Sequence, residues 1–181
     1  MRLCSIASGS SGNCIYVGTD ATHILVDVGI SGKRTEEGLN TLGLTCRDID
    51  GIFITHEHID HISGLGVLAR KYGIPIFATK GTIAAIKQTK SVGAIDEDLF
   101  QPICADEKLI VKDMTLNPMQ ISHDAAEPVA YRISHGNKKI AIITDLGTYN
   151  DYTVECLKGM DALLLEANHD VNMLQVLKSR K

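Results

Sequence analysis

The chain has 181 residues, 44% hydrophobic and 22% charged, which suits one globular domain with a sizeable core. It contains no apolar run of roughly 18 residues, so no transmembrane helix is predicted, and Met1 to Ile6 lacks the long apolar region of a signal peptide. The formal charge of −4 argues against a broadly basic nucleic-acid binder, yet two divalent ions would cancel it, and aromatics at 4% leave little for a platform of stacked bases.

In chain order, Arg2 to Ala7 and Cys14 to Gly18 read as strands joined by a hairpin turn, Ser8-Gly-Ser-Ser-Gly-Asn13. This turn lacks the Gly-Lys-Ser/Thr of a P-loop; its small residues, with Ser10, Ser11 and Asn13 as candidate contacts, would let a substrate backbone approach. His23 to Asp27 is a third strand, Arg34 to Leu42 a helix, and Ile52 to Thr55 a buried strand. A helix is predicted from Ser63, its N-cap, to Gly73. Ile74 to Ala78 is a strand, Thr82 to Lys90 a helix, and Leu109 to Val111 and Thr115 to Ile121 are strands. Val129 to Ser134 and Lys139 to Ile143 form a hairpin around His135-Gly136-Asn137, with His135 on the surface. Tyr152 to Leu157 is a short helix, Asp161 to Glu166 a buried strand, and the tail from Val171 is weakly helical. Two batches of strands with helices between them predict two sheets covered by helices on the outside. Five scattered cysteines without a Cys-x-x-Cys pair fit reduced thiols in a cytosolic protein.

Between the strand at Ile52 and the helix at Ser63 stands His56-Glu57-His58-Ile59-Asp60-His61, three histidines and an aspartate within six positions. Packing does not explain such a concentration of donors, and a strand-to-helix loop is where α/β proteins place chemistry. Asp27, His123, Asp145 and His169 each also follow an apolar strand, so they share the rim to which strand ends converge. His56, His58 and His123 would make an open tetrahedral site. Asp60 and His61 point to a second ion, Asp145 is placed to bridge the pair, and Asp27 is the candidate acceptor for a ligand histidine's second nitrogen.

This set resembles the signature of the metallo-β-lactamase-fold hydrolases. His56, His58, Asp60 and His61 match that family's second motif, Asp27 its first-motif aspartate, His123 its third-motif histidine and Asp145 its bridging aspartate. The resemblance implies an α/β fold, a four-layer αβ/βα sandwich of two mixed sheets flanked by helices, with a dinuclear site along its edge. Ala7-Ser-Gly-Ser-Ser-Gly-Asn13, Asp27-Val-Gly-Ile-Ser-Gly32, Leu65-Gly-Val-Leu-Ala-Arg70 and Leu165-Glu-Ala-Asn-His-Asp170 are similar to the WalJ/YycJ-like branch, bacterial cytoplasmic proteins regarded as 5′→3′ DNA exonucleases. One departure stands out. The family's last ligand, a histidine in a Gly-His-Leu-type segment, does not follow Asp170 here. The expectation is therefore a single domain over 1–181 lacking its C-terminal part. The second ion would be one ligand short unless His169 or water substitutes, and Gln175 and Val176 would not be covalent neighbours.

The function expected is a phosphodiesterase with two divalent ions, zinc or manganese, acting on nucleic acid and on DNA before RNA. A metal-bound hydroxide would attack phosphorus in line, with Asp60 orienting the water. The same ligands would serve a thioester or lactone hydrolase. A non-catalytic metal-binding protein would instead hold one ion per chain.

Overall fold

Side-chain alternation along the strands decides the layering. In the computed structural model, which describes residues 1–166, the first sheet contains β1 (Arg2–Ala7), β2 (Cys14–Gly18), β3 (His23–Val26), β4 (Gly51–Phe53), β5 (Ile76–Thr79) and β6 (Phe100–Ile103), in that spatial order. β1, β2 and β3 pair antiparallel, and β3 to β6 are parallel. The second sheet contains β7 (Leu109–Val111), β8 (Met114–Gln120), β9 (Val129–His135), β10 (Lys138–Ile143) and β11 (Ala162–Leu165), in the order β11-β10-β9-β8-β7. Its pairs are antiparallel except β10–β11.

Ile15, Val17, Ile24, Val26 and Phe53 of the first sheet pack against Met114, Leu116, Tyr131, Ile133, Ile140 and Ile142 of the second, forming the core between sheets. The alternate residues, Cys14, Tyr16, Leu25, Ile52 and Ile54, face the other way. They are covered by Leu39 of α1 (Gly32–Thr41), Leu65 and Leu68 of α3 (Leu65–Tyr72), and Ile83 and Ile86 of α4 (Lys80–Gln88). A single turn, α2 (Ile59–Ile62), precedes α3. On the far side, Met119, Ala130, Ala141 and Ile143 meet Tyr152 and Cys156 of α5 (Asp151–Leu157). The result is the expected helix–sheet–sheet–helix sandwich.

This topology gathers strand ends. β3 and β4 run parallel, so Asp27 and His56 emerge at one rim. β8 and β10 are both antiparallel to β9, so His123 and Asp145 follow strands that end together, and β11 brings Glu166 beside them. The sheets are tied at this rim. The Val129 N–H donates to the Thr55 carbonyl at 3.0 Å, and the buried Tyr131 hydroxyl donates to the Ile54 carbonyl at 2.8 Å.

Three readings of the sequence change. The helix predicted from Ser63 begins at Leu65 with Gly64 as N-cap, because the Gly64 N–H is drawn away to the Val28 carbonyl at 2.8 Å. β6 was not anticipated, since Gln101 and Pro102 interrupt its apolar pattern. β11, read as a buried strand, has Leu163 and Leu165 each 49% exposed; among the described residues it lies at the sheet edge, which an apolar run alone does not reveal. His169 and the Gln175–Val176 junction lie outside the described residues.

Candidate metal centre

The site is assembled from two loops that interlock through their backbones. After β3, Asp27-Val28-Gly29 lies against Asp60-His61: the Val28 N–H donates to the His61 carbonyl at 2.8 Å, and the Asn13 N–H to the Asp60 carbonyl at 2.7 Å. Only glycine fits at position 29, because a Cβ there would fall 1.5 Å from the Asp60 carbonyl oxygen. After β4 the chain turns through His56 and His58 into α2, so Asp60 and His61 sit on a helical turn and His56 and His58 precede it. His58 is the N-cap of α2, but its imidazole makes no capping hydrogen bond and stays free for the site.

One side of the centre is acidic. The fully buried Asp27 accepts hydrogen bonds from the Thr55 N–H and hydroxyl and from His61 Nδ1, each at 2.8 Å. With Nδ1 committed to Asp27, His61 aims Nε2 at Asp145 Oδ2 (2.7 Å), with Asp60 Oδ2 at 3.7 Å. The histidine's burial opposes its charge, but Asp27 and Asp145 outweigh that and raise its pKa to about 10. The hydrogen bond from His61 holds the Asp145 carboxyl below the usual carboxylate range, against its own burial. Asp27 (φ 58°) and Asp145 (φ 53°) both take left-handed backbone, a conformation that costs a non-glycine residue about 1–3 kcal/mol.

The other side is made of imidazoles. The His56 ring lies 4.6 Å from His58 and 4.5 Å from His123, and His123 Nε2 approaches His58 Nδ1 at 3.2 Å. Burial, then the neighbouring histidines, pushes the pKa of His56 down to about 2; burial also lowers His123. His56 Nδ1 lies 3.0 Å from the Thr55 hydroxyl, whereas its buried Nε2 has no hydrogen-bond partner among the described residues. An orphaned buried polar atom costs about 1–3 kcal/mol, which a cation there would offset. His56, His58 and His123 bring one nitrogen each within 4.8 Å of one another, as do the ligand atoms of His56, His61 and Asp145. Imidazole and carboxylate donors in two groups that share His56 fit divalent ions of the zinc type.

Comparison with known proteins agrees with this geometry. The family described as "Beta-lactamase superfamily domain" matches residues 22–176. The chain belongs to that superfamily. It is 43% identical to Exodeoxyribonuclease YycJ of Bacillus anthracis, over 94% of this chain and 64% of that protein. It is 38% identical to Exodeoxyribonuclease WalJ of Streptococcus pneumoniae, over 94% of this chain and 63% of that protein. The chain thus spans just under two thirds of the length of both relatives. Among solved structures, zinc-bound PqqB from Methylobacterium extorquens superposes with a TM-score of 0.71 at 21% identity, over 90% of this chain and 63% of that one. The Rm3 metallo-β-lactamase superposes with a TM-score of 0.68 at 14% identity, over 94% of this chain and 78% of that one, and these likenesses show the metallo-β-lactamase fold.

Of the residues singled out in the sequence, the structure brings His56, His58, Asp60, His61, His123 and Asp145 together, with Asp27 behind His61. Ser10 and Ser11 are exposed on their loop, but Asn13 turns inward. Its Oδ1 accepts the Gly9 N–H at 2.9 Å and its Nδ2 lies 3.0 Å from His61 Nε2, so it backs the acidic side. His135 is on the surface as expected, and it also meets Asp113 at 3.1 Å. Three neighbours escaped notice. Thr55 binds Asp27 and touches His56, yet in sequence it is simply the last β-branched residue of a strand. Glu57 accepts the Ala126 N–H at 2.7 Å, tying the His123 loop to the His56–His58 turn. Glu166 accepts from Ser8 Oγ at 3.4 Å. Glu57 and Glu166 each leave Oε2 buried without a partner among the described residues. A carboxylate inside or next to a ligand motif was the available signal for both.

Proposed function

We propose that this chain is the metal-binding part of a phosphodiesterase that cleaves nucleic acid, DNA before RNA, as a 5′→3′ exonuclease with two divalent ions, zinc or manganese. The observation that carries the reading is the pair of three-donor groups sharing His56, whose buried Nε2 lacks a hydrogen-bond partner among the described residues. The two long-matching relatives, both exodeoxyribonucleases by name, suggest the substrate class.

In this reading His56, His58 and His123 would hold one ion, Asp60 and His61 would hold the second, and Asp145, which groups with His56 and His61, would serve both. Such ions supply a nucleophile at neutral pH and polarise the phosphoryl oxygen. The protein's own contribution is placement. Asp27 keeps the Nδ1 proton of His61 so that Nε2 faces the site. Asp60 is half-buried at the opening, where it would orient the attacking water. Its acidic neighbour Asp145 reaches both groups, with Oδ2 2.7 Å from His61 Nε2 and 3.6 Å from His56 Nε2.

The test is hydrolysis of 5′-phosphorylated duplex DNA, single-stranded DNA and RNA with added manganese or zinc, run beside His58→Ala. Wild type is expected to shorten DNA from its 5′ end, and the variant to lose more than about 100-fold of that rate, beyond what loss of a supporting residue costs. Equal inertness of both proteins on all three substrates, with hydrolysis of a thioester by wild type, would overturn the proposal.

A further inference from the structure

Beside the candidate centre lies a cavity of about 360 Å³ lined by Gln120, Ser122, Thr148, Tyr149, Asn150 and Tyr152. Its walls are the segments that deliver two of the candidate ligands. Ser122 precedes His123, and residues 147–150 follow Asp145. The Gly147 N–H donates to the Ser122 carbonyl at 2.8 Å, and Ser122 and Thr148 pair as an antiparallel bridge. The cavity is therefore fixed to the same rim as the metal-ligating side chains.

Its chemistry is unlike that of the centre. Every side chain named is uncharged, so a phosphate would find no counter-charge among them. Asn150 is occupied as the N-cap of α5, accepting the Thr153 N–H, and the Tyr152 hydroxyl donates to Asp106 at 2.7 Å. The Gln120 amide, the Ser122 and Thr148 hydroxyls and the whole of Tyr149 have no hydrogen-bond partner among the described residues. Tyr149 is 74% exposed, more than any other large hydrophobic side chain described. A flat apolar ring beside free amide and hydroxyl groups matches a planar, uncharged heterocycle with donors and acceptors on its edge.

We propose that this cavity takes the nucleobase adjoining the cleaved phosphodiester, with its face on Tyr149 and its edge toward Gln120, Ser122 and Thr148, while the phosphate goes to the ions. The inference rests on nucleic acid being the substrate. Because stacking on an aromatic ring tolerates every base, the subsite would hold the chain end without reading sequence.

The test is a double-mutant cycle on the whole chain loaded with manganese. Fluorescence anisotropy measures binding of a short single-stranded oligodeoxynucleotide carrying a non-hydrolysable phosphonate at its 5′-terminal linkage. The same oligonucleotide is also made with an abasic terminal nucleotide. Tyr149→Ala is expected to weaken binding of the intact oligonucleotide about tenfold, and the abasic change to weaken wild-type binding to a similar degree. The two changes combined should cost little more than either alone. Tyr149→Phe, which keeps the ring, should bind like wild type. Independent, multiplying losses, or no loss on removing the ring, overturn the subsite while leaving the nuclease reading intact. Failure of wild type to bind the intact oligonucleotide overturns the nucleic-acid reading itself.

Discussion

The two sides of the centre share His56 but are prepared differently. On the imidazole side, burial and mutual repulsion keep His56 neutral, so its lone pair is ready for a cation and no proton stands in the way. On the acidic side, Asp27 and Asp145 hold a proton on His61 far above its ordinary range, and an ion must displace it. Among the described residues the imidazole side carries a buried nitrogen without a partner, whereas the acidic side is already satisfied by internal hydrogen bonds. In the proposed reading, the first group would take an ion without displacing a proton, and the second would make an ion compete with one.

Replacing Asp27 with Asn should break this contrast most severely. Asp27 is fully buried and accepts three hydrogen bonds, two from Thr55 and one from His61. An amide offers one oxygen and sets an NH₂ against a donor that the second oxygen now accepts. His61 then loses both its orientation and the charge that favours its protonation. The acidic side should lose about 10- to 100-fold in metal affinity, with a parallel loss of hydrolysis. The imidazole group, whose donors do not touch Asp27, should keep its ion. Metal content measured after dialysis should fall from two ions per chain toward one; loss of both would mean that the sides are not separable.

The pH dependence of metal binding should sharpen the same contrast. A folded pKa near 10 leaves His61 protonated through neutral pH in the metal-free protein. Binding on the acidic side therefore releases that proton, and its apparent affinity should rise about tenfold per pH unit from roughly pH 7 to 9. Binding by the imidazole group needs no proton from His56, whose pKa of about 2 lies far below this range. Zinc titrations by calorimetry in buffers of different ionisation enthalpy would count the released proton. A weaker ion whose affinity did not change with pH would contradict the assignment.

Much of this is legible in the sequence. A cluster of histidines and an aspartate between an apolar strand and a helix, with single acids and histidines after later strands, picks out residues that the fold brings together, because strand ends of one direction converge on one rim. Near-continuous apolar runs in Cys14–Gly18 and His23–Val26 gave the first sheet its two buried faces. What stayed hidden depends on contacts across sequence distance. Asn13 read as a loop residue, since nothing local says that its amide turns back toward His61, 48 positions away. Gly29 shows its purpose only when Asp60 is seen against it. The helix start moved past Ser63 because the Gly64 N–H is claimed by Val28, a competition that capping preference does not contain.

The smallest effect should come from Glu57, and it tests whether the imidazole side is as preorganised as its electrostatics suggest. His123 arrives from the second sheet on a loop held at both ends. The Glu127 carbonyl accepts from Thr79 Oγ1 at 2.8 Å, its carboxylate accepts the Gly81 N–H at 2.7 Å, and Glu57 accepts the Ala126 N–H at 2.7 Å. Of these three bonds only that of Glu57 runs to the turn bearing His56 and His58, where it adds to the Val129–Thr55 bond in setting the distance between the histidines of the two sheets. Removing it in Glu57→Ala frees one partly exposed hydrogen bond, about 1 kcal/mol, and should weaken the tighter ion by roughly tenfold or less. Glu57→Gln keeps a carbonyl oxygen for Ala126 and should restore most of that affinity. Failure of Gln to rescue, with folding stability unchanged, would assign Glu57 to the chemistry through its charge and not to the placement of His123.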